Sequence, residues 1–171
     1  MSKQDLFFVD AETNGLYGSF LTVAIIRTDC FCNELDRHYF GIKTENMVVT
    51  DPWTRENVVP ILGEYTPCED EYDLLERVWA LWAACREHSY AVAYVAYPVE
   101  ARLFSECVRH DETRRRFNGP FPLIDLSTIL FARGMDPLNL PDDDPAPETK
   151  QHNALYDVEQ MIKIYKKAME V

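Results

Sequence analysis

The first strand of this chain carries acids where a buried strand should carry none. In "LFFVDAETNGL", residues 6–16, Leu6, Phe7, Phe8 and Val9 are apolar enough for an interior strand, and Asp10 and Glu12 follow directly. Side chains alternate faces along a strand, so these two acids point the same way. Two carboxylates on one face repel each other and resist desolvation. A fold that buries this strand has to supply something that holds them together.

The end of the chain poses the same problem. "HNALYDVEQMIKIYKKAME", residues 152–170, has the period of a helix, with Lys163, Lys166 and Lys167 towards its C-terminus. Asp157 falls on the face of Ala154, Met161, Ile164 and Ala168. A carboxylate on that face needs a partner. Either an arginine in the core or a cation shared with Asp10 and Glu12 would serve. A further acid, Glu100, stands in "YVAYPVEARLF", after an apolar run and in the first turn of the next helix. Strand ends are where α/β sheets place their sites, although an acid in a first turn also simply favours the helix dipole.

Between these ends the pattern predicts an α/β fold of one domain, residues 1–171. Strands are expected at 5–12, 20–28, 33–43, 90–97 and 121–125, the first three as an antiparallel meander. Helices are expected at 69–88, 98–109, 125–133 and at the end. In the helix at 69–88, Trp79 and Trp82 read as core. Residues 44–68 read as loop with a short helix, and 134–151, rich in Pro and Asp, as a mobile loop. Alternating helices and strands after a meander suit a mixed five-stranded sheet with helices on both faces.

No apolar run reaches membrane-spanning length, and Asp10 interrupts the short N-terminal one, so the expectation is a cytoplasmic protein with no membrane partner. The five cysteines, Cys30, Cys32, Cys68, Cys85 and Cys107, form no CxxC pair and read as free thiols. A net charge of −12 argues against tight, non-specific binding to a polyanion. It leaves room for an enzyme whose site holds its own cations. "RHDETRRRF", 109–117, gathers Arg109, Arg114, Arg115 and Arg116. It reads equally as a phosphate-tracking patch and as a solvated charge run.

Taken together, the motifs resemble the DEDD 3′–5′ exonuclease superfamily. "FFVDAETNGL" is similar to its first motif, with Asp10, Glu12 and Thr13 in the Asp-x-Glu-Thr core. "HNALYD", 152–157, is similar to the third motif of its histidine branch, with His152, Ala154 and Asp157. "VAYPVEARLF", 95–104, holds the place of the second motif, with Glu100 where the family has Asp and with Tyr or Pro where it has Asn. "LIDLSTILFARG", 123–134, resembles the segment that follows. The resemblance implies a ribonuclease H-like three-layer sandwich. It implies hydrolysis of phosphodiester bonds at the 3′ end of single-stranded DNA, RNA or short oligonucleotides, using two divalent cations, Mg²⁺ or Mn²⁺. On that reading Asp10, Glu12, Glu100 and Asp157 are the metal ligands, and His152 is the general base towards the attacking water.

By family position, Thr13, Asn14, Gly15 and Leu16 hold the terminal nucleotide, Gly15 equally being a turn residue. Tyr97 is either a base-stacking ring or core. Two other classes compete. One is a catalytically impaired domain of the same fold that binds nucleic acid or assembles with other proteins, for which the altered second motif speaks. The other is a small-molecule or nucleotide-binding protein whose acids sit in core salt bridges, against which the lack of a phosphate loop such as GxxxxGK counts.

Overall fold

The computed structural model describes residues 4–138 and 152–170. Its first three strands, β1 (Asp5–Thr13), β2 (Phe20–Thr28) and β3 (Glu34–Ile42), form the antiparallel meander. Then come α1 (Pro52–Asn57), a 3-10 turn at Val59–Ile61 and β4 (Thr66–Cys68). The helix α2 (Glu71–Cys85) leads to β5 (Ser89–Ala93) and α3 (Val99–Arg109). A short α4 (Glu112–Arg115), β6 (Leu123–Asp125), α5 (Leu126–Ala132) and α6 (Ala154–Met169) complete the order. The sheet runs β4-β3-β2-β1-β5-β6, with β5 parallel to β1, β6 parallel to β5 and β4 parallel to β3.

The alternation of β1 divides the core. Phe7, Val9 and Ala11 face α2 and α3, meeting Leu74, Val78, Trp79, Trp82, Leu103 and Phe104. Phe7 packs edge-on against Trp82, ring centroids 5.5 Å apart. Leu6 and Phe8 face the other way, towards Leu126 and Leu130 of α5 and Ala154, Val158, Met161 and Ile164 of α6. Burying each such side chain contributes roughly 1.5–3 kcal/mol, and β1 lies next to the middle of the sheet with helices on both sides. Asp10 and Glu12 continue the Leu6–Phe8 row and therefore emerge on the α6 face, at the strand's last turn of pleat.

Two expectations are corrected here. The sheet has six strands, not five, because Thr66–Cys68 adds an edge strand in parallel to β3. Its Pro67 speaks against a strand, yet an edge tolerates a missing N–H. The strand expected at 90–97 ends at Ala93. Beyond it the backbone serves the next layer instead: Ser127 N–H donates to the Tyr94 carbonyl (2.8 Å), and Ala96 N–H donates to the Asp125 carboxylate (3.2 Å). The same Asp125 caps α5 by accepting from Thr128 N–H. Pro98 is the N-cap of α3, one residue before the expected first turn is fully helical. Most of the segment read as a mobile loop, residues 139–151, lies outside the described residues.

Candidate functional site

The end of β1, the start of α6 and the first turn of α3 bring the singled-out acids to one place. Carboxylate oxygens of Asp10, Glu12 and Asp157 lie within 4.8 Å of one another. All three residues keep part of their surface open to solvent. Asp157 is in the first turn of α6, on the face that buries Ala154, Val158 and Met161. Glu100 stands at the second position of α3 and is 5% exposed. The N–H groups of Glu100 itself and of Ala11 on β1 face its carboxylate, and its charge acts on Asp10. It lies outside the tight group of three but within range of their charges.

These acids crowd one another. Burial first, then Glu100, Glu12 and Asp157, push the Asp10 carboxyl well above its usual range. Burial, Asp157 and Glu100 raise Glu12 from 4.5 to about 8. Burial raises Glu100 to about 8, opposed by the two N–H groups it accepts. Burial likewise raises Asp157 to about 7, opposed by the His152 N–H that faces its carboxylate. Among the described residues, no Lys or Arg forms an ion pair with any of the four. A core arginine as the partner of Asp157 is thus absent from the described structure. Solvent-open oxygen donors with no cysteine or imidazole among them, and with uncompensated charge, are a fit for a hard divalent cation such as Mg²⁺ or Mn²⁺.

This crowding has a measurable sign. In the unfolded chain such carboxyls titrate near 4. In the fold, Glu12, Glu100 and Asp157 hold their protons to about 7–8. The stability they contribute is complete below about pH 4 and is lost as pH rises through the folded values. His152, whose partial burial lowers its pKa, works in the opposite sense but is one group against four. The melting temperature of metal-stripped protein is therefore expected to fall between pH 5 and pH 8, and added Mn²⁺ to restore most of the loss at pH 8. A melting temperature flat with pH, or rising, in chelator would contradict the crowding.

His152 precedes α6 with φ 69°, an uncommon backbone for a residue with a Cβ. That conformation directs its N–H to Asp157. Its exposed ring meets the Trp53 ring edge to face, centroids 4.9 Å apart and planes at 84°. The imidazole is not among the groups that converge with the three carboxylates.

The residues after Glu12 are tied into the protein. Thr13 Oγ1 donates to the Gly15 carbonyl (2.8 Å). Asn14 accepts from the N–H groups of Thr50 and Asp51 (3.0 and 2.9 Å) and donates to Thr50 Oγ1 (3.1 Å). Gly15 takes φ +71° and its N–H donates to Thr54 Oγ1 (2.9 Å). These bonds fasten residues 48–54 against the end of β1. The far end of that segment is fastened to α6: Asn153 caps the helix by accepting from Tyr156 N–H, and its amide donates to the carbonyls of Ile61 and Leu62 (2.8 and 2.9 Å). Residues 48–62 thus form a clasp from the first strand to the last helix. Leu16, 56% exposed, and Tyr97, 71% exposed, stand free on the neighbouring loops, which answers core packing as a role for Tyr97. Tyr97 lies close enough to the exposed Tyr17 to raise its pKa. The sequence assigns no site role to Tyr17 or Trp53, and Asn153 enters there only as the residue standing where the tyrosine branch has Tyr, not as a helix cap. Only Asn153 carried a local signal, since Asn before a helical run is a favoured N-cap.

The arginine run is largely engaged. Arg115 pairs with Glu76 (2.7 Å) and lies over Trp79, Arg109 pairs with Glu106, and Arg114 lies 3.5 Å from Asp111. The cysteines are free thiols, all but Cys30 buried.

No family model matches the chain, and no curated protein sequence does. Solved structures do. A zinc-bound complex of E. coli exonuclease I with single-stranded DNA superposes with a TM-score of 0.67 at 17% identity, over 96% of this chain and 40% of that one. An exonuclease I from Methylocaldum szegediense gives 0.65 at 16%, over 96% and 40%. E. coli exonuclease I with a dT13 oligonucleotide gives 0.60 at 19%, over 96% and 41%. The fold is that of these enzymes. The chain spans about two-fifths of their length.

Proposed function

We propose that this chain is a metal-dependent 3′–5′ exonuclease of single-stranded nucleic acid, built as one domain of the histidine branch of the DEDD superfamily. The observation that carries the reading is the convergence of Asp10, Glu12 and Asp157, 147 residues apart at the extremes, with Glu100 beside them and, among the described residues, no Lys or Arg paired with any of the four. Their place in a fold shared with exonuclease I supports it.

Asp10, Glu12 and Asp157 would hold the cations, with Glu100 completing the charge. When bound, divalent ions supply charge stabilisation to the attacking and leaving oxygens of the phosphodiester. Glu100 keeps the Ala11 end of β1 fixed while adding its charge to that of Asp10. His152 acts as general base towards the attacking water, which requires its ring to leave Trp53 and turn to the carboxylates. Thr13, Asn14 and the Gly15 backbone act through the loop they hold, leaving the exposed Leu16 side chain to meet the terminal nucleotide. Tyr97, paired with Tyr17, offers a ring to an unpaired base. Binding through rings and cations, with few free arginines, suits short or single strands over long duplex on a protein of net charge −12.

The test is a 5′-labelled single-stranded DNA or RNA oligonucleotide incubated with Mg²⁺, Mn²⁺ or chelator. A ladder shortening from the 3′ end, present with either cation and absent in chelator, is expected. His152→Ala should slow it by about 10²–10⁴ while leaving Mn²⁺ binding intact. Unchanged trimming in that variant would remove the base role.

A second reading, an impaired domain of this fold that binds nucleic acid or a protein, is favoured by one observation: Glu100 lies outside the group of three and directs its carboxylate to backbone N–H groups. Wild-type protein that binds the oligonucleotide but never shortens it would choose that reading.

A further inference from the structure

The end of the sheet away from the carboxylates has a cavity of its own. It encloses about 340 Å³ between the end of α2, the start of β5 and the loop from α4 to β6. Asp5 and Leu6 of β1 pair with Ser89 and Tyr90 at this end. Asp10 and Glu12 stand five and seven residues beyond Asp5, roughly 16–24 Å away at the rise of a strand. The mouth of the cavity is aromatic. Phe117 and Phe121 line it and are 80% and 83% exposed, more than any other large apolar side chain described. Their loop is fixed to α2, because Trp82 Nε1 donates to the Asn118 carbonyl (2.8 Å). The floor is polar. Ser89 is 5% exposed, and among the described residues its Oγ has no hydrogen-bond partner, the Cys85 thiol being its polar neighbour. Gln4 Oε1 is buried and equally unpartnered. Buried polar atoms left without partners are costly, so this floor has hydrogen bonds to offer an occupant. Two cations flank it on a chain of net charge −12. Arg86 lines the cavity and pairs with Glu87 (2.7 Å). Arg116 lies over the Phe117 ring, 5.0 Å from its centre, and forms no ion pair among the described residues.

We infer that this cavity is a second nucleotide site, which seats one base and its phosphate away from the cleft. It stands apart from the carboxylates, and its chemistry does not depend on theirs. The rings at the mouth offer stacking to the face of any base. The edge of a base carries N–H donors and acceptors, which Gln4 Oε1 and Ser89 Oγ answer. Arg116 and Arg86 stand for the phosphate, whose oxygens a guanidinium fork matches. The volume lies at the small end of ligand pockets, enough for one nucleotide. A base already paired in a duplex has its edge occupied and is excluded. The arginine run thus divides its labour: Arg115 is spent on Glu76, and Arg116 is left for an anion.

A free mononucleotide and a nucleotide within a strand share this chemistry, and calorimetry on the full chain in chelator, where the cleft holds no cation, separates them. Titrated dTMP and dAMP are expected to bind at a single site. Phe121→Ala should weaken that binding by about 5- to 150-fold, the range of one base–aromatic stack, with an unchanged melting temperature because the ring is exposed. Arg116→Gln should weaken binding of dTMP but not of thymidine, which has no phosphate. Asp10→Asn should bind dTMP as the wild type does. A short dT oligonucleotide that binds more tightly than dTMP, with the same dependence on Phe121, assigns the site to the strand, and the reverse order assigns it to the free nucleotide. No binding of any of these in chelator, or binding indifferent to Phe121, would overturn the second site. Wild-type protein that trims oligonucleotides but binds no nucleotide in chelator would remove this site and leave the nuclease reading standing. Protein that binds dTMP through Phe121 but never trims would do the opposite.

Discussion

Asp10→Asn and Asp157→Asn are each expected to end trimming altogether while making the metal-free protein more stable. The two effects have one cause. In the cleft the carboxylates raise one another's affinity for protons, with Asp10 touched by the charge of Glu100, Glu12 and Asp157 together. Replacing one by an isosteric amide relieves that repulsion, and each 1 kcal/mol of relief is worth about 2–4 °C in a chain of this size. The same replacement removes a ligand from a group whose oxygens already lie within 4.8 Å of one another, so a cation loses charge that no neighbour can replace. Thermal melts in chelator and the 3′-trimming assay read the two halves separately. A variant that trims normally, or one that melts lower in chelator, would break the link between crowding and function.

The second large effect falls on Glu100, where the chain departs from the pattern it resembles. Glu100→Gln keeps the length of the side chain and an oxygen to accept from the Ala11 and Glu100 N–H groups, and deletes only the charge. If that charge belongs to the metal site, trimming drops by about two to three orders of magnitude, as for loss of one group that stabilises transition-state charge. The metal-free protein then melts higher, because Asp10 loses its strongest charged neighbour. If Glu100 serves only the N-terminus of α3, trimming is untouched, and the loss of about 0.3–1 kcal/mol of helix-dipole interaction is set against the same relief at Asp10. Glu100→Asp shortens the arm that spans from α3 to β1 and should also impair trimming. Trimming, read beside Mn²⁺ binding by calorimetry, therefore separates the two roles.

How legible this was in the sequence depended on the range of each interaction. Asp10, Glu12 and Asp157 announced themselves because a strand and a helix have short periods, and a carboxylate on an apolar face violates them within a few residues. The placement of Trp79 and Trp82 in the core was legible for the same reason. The clasp was not. Asn14 reaches Thr50 and Asp51, and Asn153 reaches Ile61 and Leu62, through side-chain to backbone bonds between residues 36 to 92 positions apart. No periodicity marks such bonds. The edge strand β4 was hidden because three residues carry no alternation and Pro67 argues against them. The expected length of β5 was overstated because Tyr94–Tyr97 is apolar enough for a strand but lends its backbone to α5. Thr13 and Asn14 stand where the resemblance implies contact with a nucleotide, yet their side chains bond within the protein. Trp53 drew no notice because a single aromatic in a mixed segment has no pattern to stand out from.

Composing one carboxylate group from β1 and α6 has a consequence for how the protein comes into being. A chain leaves the ribosome N-terminus first, and its early segments begin to fold while the rest is still being made. Asp10 and Glu12 emerge before Glu100, and Glu100 before Asp157. Until α6 docks on the Leu6–Phe8 face, one corner of the group is missing and the clasp has nothing to fasten to at Asn153. A chain that lacks α6 therefore carries Asp10 and Glu12 without the third carboxylate of the group, and the cation site proposed for it is completed only when the last helix docks.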